Sequence, residues 1–237
     1  MRLYLGWGIL LTMVTAVLAE EPVPPKPQRH VEQVIEGWKV QVDSRLLDGP
    51  DAELGKRVLR LLESRLADIK LVLPEDKLKR LQQVGIWLDR THGSLRSAQY
   101  HPSVDWLKEH GYDEGLTRCV HIPDAAEFAS PGHQRVQPWS VMHELAHAYH
   151  DQVLDFDEPE ITAAWKSFQG SGKYDKVLHI NGHHTRHYAL TNQKEFFAEM
   201  TESYLGTNDF YPFNRAELKE AEPEIFALLE KTWKKEP

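Results

Sequence analysis

The pentapeptide His143-Glu144-Leu145-Ala146-His147 constrains the fold of this chain more tightly than any other stretch. Residues four apart on an α-helix lie on one face, one turn above each other, so a helix here stacks the two imidazoles side by side. Met142, Leu145, Ala146 and Tyr149 follow the i, i+3, i+4, i+7 pattern of a buried stripe, while His143, His147 and His150 fall on another face. The spacing therefore predicts a helix over about 138–152, packed on one side and carrying a site on the other. Two neutral imidazoles on one face can share a metal ion, and Glu144, one residue on from His143, can reach a water beside it. Histidine is abundant, 13 of 237 residues, so the bare pattern could arise by chance. Its place on an amphipathic helix gives it weight. His30, His92, His101, His110, His121, His133 and His179 read as ordinary surface residues.

The N-terminus reads as a targeting segment. Arg2 precedes the apolar run Leu3 to Leu18, and Ala19 is followed by Glu20, Glu21 and Pro22. This is the pattern of a secretory signal peptide cleaved after Ala19, and its 16 apolar residues fall short of the ~20 that a membrane-spanning helix needs. Removing 19 of 237 residues leaves 218, and losing Arg2 takes the formal charge from −8 to −9. That charge argues against nucleic acid as a partner. The mature chain is expected outside the cytoplasm, secreted or periplasmic, with no stable membrane insertion. Residues 20–30, with Pro22, Pro24, Pro25 and Pro27, read as an extended tether, and 31–237 as one domain. Cys119 is the sole cysteine, so the core must stand without an internal disulfide, and a buried structural thiol is expected there.

Along the domain, a leucine-rich stripe predicts a helix over 51–70, Pro74 stops it, and a short helix follows over 75–82. Val84 to Leu88 and Thr117 to Ile122 read as strands, Asp105 to His110 as a helical turn ended by Gly111. Thr91 to Pro102 and Ala129 to Gln137 read as loops. Further helices are expected at 159–169 and 192–205, with a His-rich loop over 170–191. A last helix opens at Asn214, with Glu217 at capping-box spacing. Helices around a few strands give an α+β fold class.

A metal on His143 and His147 needs a third protein ligand. The metzincin continuation would require glycine and histidine where His150 and Val153 stand, so that route is closed. A carboxylate from a later helix remains. Glu195 and Glu199 are four apart, on a helix that Phe196, Phe197 and Met200 can anchor. Glu195 would bind the metal, and Glu199 would accept a hydrogen bond from the outer nitrogen of a ligand histidine. Asn192 and Glu195 also have capping-box spacing, which would use Glu195 to close the helix instead. Glu202, one turn further, reads as solvated.

His143-Glu144-x-x-His147 followed by a later helical glutamate resembles the gluzincin metallopeptidases. The stretch Tyr188-x-x-x-Asn192-x-x-Glu195-Phe196-Phe197-Ala198-Glu199 resembles more narrowly the catalytic domain of the anthrax lethal factor group. The segment from Tyr204 to Phe213 is similar to uncharacterised secreted bacterial proteins with the same two blocks. The resemblance covers about 5 and 12 residues and none of the N-terminal half. It implies a zincin-like α+β domain with Zn2+ held by His143, His147 and Glu195, and a tyrosine, here Tyr188, stabilising the developing oxyanion. Apart from the resemblance, Tyr188 is a neutral donor suited to an oxyanion, or a ring packed at a loop end. His183, His184 and His187 compete for the same role and, with His150, are expected near the site. The function that follows is a zinc metallopeptidase acting on a protein or peptide substrate, with Glu144 as general base. A zinc-binding module without turnover and a zinc hydrolase of cell-wall amides are the alternatives. Thr117 to Ile122 is expected to be the edge strand that pairs with an extended substrate.

Overall fold

The computed structural model describes residues 23–234, so the expected signal peptide lies outside the described residues. Residues 23–29 carry no helix or strand. They are docked on the body rather than hanging free: the Pro25 carbonyl accepts from Thr91 Oγ1 at 2.7 Å, and Lys26 Nζ donates to the Gly111 carbonyl.

The chain then forms a hairpin of β1 (His30–Ile35) and β2 (Trp38–Asp43). Glu36 and Gly37 both take positive φ, 51° and 99°, as a two-residue turn between antiparallel strands requires. Trp38, Val40 and Val42 alternate inward along β2 and are fully buried. Helix α1 (Ala52–Val72) buries Val58, Leu62, Leu66 and Ile69, and Pro74 opens the short α2 (Glu75–Leu81). Next come β3 (Ile86–Leu88), β4 (Gln99–Tyr100), α3 (Val104–Glu109) and β5 (Val120–Ile122). Two short helices, α4 (Ala125–Phe128) and α5 (Pro131–Val136), lead into α6 (Ser140–Tyr149), which runs on as a π-helical turn through Leu154. The remainder is α7 (Pro159–Gly170), the small ladder of β6 (Val177–Leu178) with β7 (His184–Thr185), α8 (Gln193–Leu205), α9 (Arg215–Ala221) and α10 (Pro223–Trp233).

The main sheet has the order β1-β2-β3-β5-β4. β3 pairs in parallel with β2 and β5, and β4 runs antiparallel to β5. The architecture is thus α+β, as its element pattern leads one to expect. The hydrophobic core is one cluster running from Trp38 to Trp233, joining α1, the sheet, α6 and α8.

Three expectations are corrected. Thr91 to Pro102 contains β4, whose two residues are too few to show any periodicity. Ala129 to Gln137 contains α5, opened by Ser130, whose hydroxyl accepts from the His133 amide. Thr117 to Ile122 does not form the edge strand: β5 lies inside the sheet between β3 and β4, and the edges are β4 and β1.

The start of α6 and the end of α8 meet at a close approach. A Cβ placed on Gly206 would come within 2.0 Å of the Trp139 ring. Gly206→Ala must therefore push aside the ring of Trp139, the N-cap residue of the motif helix. We expect a loss on the order of 3 kcal/mol, roughly 6–12 °C in Tm. Thermal unfolding checks this, and an unchanged Tm would mean that the two helix ends can separate freely.

Candidate metal centre

Helices α6 and α8 pack against each other, and the site sits between them. α6 presents His143 and His147 one turn apart, their rings edge to face at 4.8 Å between centroids. Asn192 caps α8, its Oδ1 accepting from the amides of Lys194 and Glu195. With the cap so filled, the Glu195 carboxylate is turned across to the other helix. Its Oε2 lies 3.2 Å from His143 Nε2 and 3.3 Å from His147 Nε2. The structure thus brings together the three residues that the sequence singled out as ligands.

Among the described residues, three groups of side chains could hold a metal ion: His143, His147 and Glu195; Asp89, His92 and His121; and His143, Glu199 and Glu202. Spacing separates the first two. Tetrahedral ligands at about 2.0–2.1 Å from an ion stand about 3.3 Å from each other, which is the separation of the Glu195 oxygen from both imidazoles. At Asp89 the contacts are shorter. His30 Nε2 and His92 Nδ1 each donate at 2.6 Å and His121 Nε2 at 2.8 Å. Those are short hydrogen bonds, with ring protons already filling the carboxylate, whereas the Glu195 contact to His143 lies at the long end of the hydrogen-bond range. Burial works against ionising Asp89, but the bonds from His121, His30 and His92 outweigh it and hold the carboxyl far below the usual range. Since His121 donates through Nε2, its Nδ1 must accept, and His101 Nε2 donates to it at 3.2 Å.

Glu144 is buried beside the ligands, and its Oε2 accepts from the backbone amide of Tyr100 at 2.7 Å. Tyr100 belongs to edge strand β4 and is itself pinned, its hydroxyl donating to Asp151 at 2.7 Å. Burial raises the proton affinity of Glu144, against the pull of His143 and His147. Tyr188 and Glu144 line the same cleft of about 510 Å³ as both histidines and Glu195, and Tyr188 is half exposed there. Burial, then the Glu195 charge, pushes the Tyr188 phenol up, so it stays a neutral donor.

The hydrogen bond behind the site corrects one expectation. His143 Nδ1 donates to Glu202 Oε1 at 2.6 Å, whereas Glu199 Oε1 stands 3.7 Å away. Glu202 is therefore buried and bonded rather than solvated. Residues 195, 199 and 202 follow i, i+4, i+7, so the signal was present in the sequence. It was obscured because a charged residue on a helix usually faces water. Glu199 is buried too, with its Oε2 lacking a hydrogen-bond partner. Asp209 completes a buried acidic group with Glu199 and Glu202, and burial raises the proton affinity of all three.

The remaining histidines depart from expectation in both directions. His92, His101, His121 and His179 are buried, not on the surface, because each packs on the inner side of a loop or strand that pattern alone does not orient. His30 and His133 are half buried, and the surface reading holds for His110. Of the histidines expected near the site, His183 and His184 are exposed on the β6–β7 side, and His187 and His150 are buried behind it. None of the four lines the cleft, whereas His133 does. His187 packs among Phe168, Tyr174 and Phe210. Cys119 is a free, half-buried thiol whose proton affinity burial raises. No helix among the described residues is long and apolar enough to cross a membrane.

No family model matches this chain, and no curated protein or solved structure does either.

Proposed function

We propose that the chain is a zinc-dependent peptidase of zincin-like fold. The observation that carries this reading is the placement of three donor atoms, from His143, His147 and Glu195, at ligand spacing on the wall of an open cleft, with the buried carboxylate of Glu144 beside them. Two imidazoles and one carboxylate leave a fourth position open, which suits a catalytic zinc rather than a closed structural one. A zinc ion held there would supply Lewis acidity, lowering the pKa of a water and polarising a carbonyl.

The chain's own residues would do the rest. Glu144, oriented by the Tyr100 amide, takes a proton from the attacking water and passes it to the leaving amine. Tyr188 offers its phenolic proton to the carbonyl oxygen as charge builds on it. Glu202 fixes the tautomer of His143 by accepting from Nδ1, leaving Nε2 free to ligate. The outer edge of β4, with Ser97, Ala98 and Gln99 on the cleft wall, offers an extended peptide a strand to pair with. That edge favours a peptide substrate over a non-peptide amide, and the presence of a base favours turnover over a purely structural site.

Metal analysis tests the premise. The protein should bind one zinc per chain, since the Asp89 group is already closed by ring protons. Glu195→Gln should weaken zinc binding by more than ~100-fold, judged against the 10–100-fold that loss of a mere supporting contact costs. A protein that takes up no zinc, or a Glu195→Gln variant that binds it as tightly as the parent, would sink this reading.

A further inference from the structure

We propose that the part of the cleft lined by Asp209 is a subsite for a cationic side chain, lysine or arginine, adjoining the bond to be cut; this deepens the peptidase reading and rests on it. The subsite lies toward the N-terminus of α6, where Ser140 stands one turn before His143 and Gln137 just precedes the helix. Glu202, Asp209 and Phe210 line it as well.

Acidic groups outnumber basic ones there. Five carboxylates line the cleft: Glu144, Glu195, Glu199, Glu202 and Asp209. Lys194 is the one lysine or arginine among its lining residues, and its Nζ lies over the Phe156 ring at 3.9 Å. A divalent ion would offset Glu144 and Glu195. Glu199, Glu202 and Asp209 are then left with histidine contacts but, among the described residues, no ion pair to lysine or arginine.

Asp209 is the sharper observation. Only 4% of it is exposed, its Oδ1 has no hydrogen-bond partner, and its Oδ2 has only long contacts, 3.4 Å each to Gln137 Nε2 and His179 Nε2. A buried carboxylate left short of donors is costly unless something supplies them. An ammonium or guanidinium group brings three to five donors and a positive charge, and the Phe210 ring offers an apolar wall for the stem that carries it. A free peptide amino terminus has the same headgroup chemistry but no stem, so the two sources can be told apart.

The test uses paired peptides that differ at one position, lysine against norleucine, each made with a free and with an acetylated amino terminus. Affinity is measured by titration onto zinc-loaded Glu144→Gln protein, which needs no turnover, and cleavage is mapped separately with the parent protein. Acetylated lysine peptides should bind at least ~30-fold more tightly than their norleucine partners. Asp209→Asn should remove most of that ratio while leaving norleucine peptides nearly unchanged. Gln137→Lys, a substitution at an exposed position that puts a cation beside Asp209, should remove it as well and guards against misfolding of the first variant. Equal binding of lysine and norleucine peptides overturns the subsite, and so does a preference that acetylation of the amino terminus abolishes. Cleavage without lysine or arginine preference overturns the subsite and leaves the peptidase reading standing. A lysine preference in binding with no cleavage of any peptide by the parent does the reverse.

Discussion

Glu144→Gln is expected to keep its zinc and its fold and to lose at least ~100-fold in the rate of peptide hydrolysis. Glu144 is not among the three residues whose donor atoms surround the ligand position, so metal content should not move. The amide has the same shape, and its oxygen can still accept from the Tyr100 backbone N–H, now 2.7 Å from the carboxylate. What it lacks is proton affinity: an amide oxygen cannot take a proton from water at neutral pH and hand it on. A 100-fold loss is about 2.7 kcal/mol of barrier, a large effect for a substitution that should leave stability equal or slightly higher, since a buried carboxylate is removed. Kinetics on a cleaved peptide, with zinc content and Tm measured on the same preparation, separate these quantities. Full activity in the variant would show that Glu144 is not the base.

His150→Leu is expected to stabilise the protein, and increasingly so in acid. His150 is fully buried between Phe156 and Phe197, with ring centroids 5.2 and 4.9 Å away, and neither ring nitrogen has a hydrogen-bond partner. Burial, with a smaller push from His147, lowers its pKa from 6.5 to about 4. In the unfolded chain the ring takes a proton near pH 6.5, while in the folded chain it resists until about pH 4. Between those values the unfolded state binds more protons, so His150 makes stability fall as pH falls. Leucine has no such linkage. The advantage of the variant should grow by about 1.4 kcal/mol for each pH unit below 6.5, reaching about 2 kcal/mol at pH 5 beyond its value at pH 8. Urea unfolding of both metal-free proteins at pH 8, 6 and 5 measures the difference directly. A difference that stays constant with pH would mean that His150 finds a partner or a proton in the folded state.

Much of this molecule was legible before its fold. The long leucine stripe gave α1, Pro74 marked its end, and the histidine pair with its apolar stripe gave α6. These are local features, repeated over several turns, and they need no knowledge of what lies opposite. The pairing of Glu195 with those histidines was also foreshadowed, because a metal site demands a third ligand and few acidic residues sit on an anchored helix. Other assignments failed for want of long-range information. β4 has two residues, and its role as an edge comes from pairing with β5, some 20 positions away. Glu202 differs from Glu199 by three positions on one helix, and which of them reaches His143 Nδ1 depends on the rotation of α8 against α6.

The histidines divide along the same line. By itself the sequence determined that His143 and His147 share a helix face with Glu144 between them, because helical geometry dictates it at short range. Tertiary structure alone decided what became of the others. His121 was buried against Asp89, His187 among aromatic rings and His133 set at the cleft, according to which side of a strand or loop met the core. Burial of a single polar ring depends on packing across the whole fold, and no local spacing encodes it.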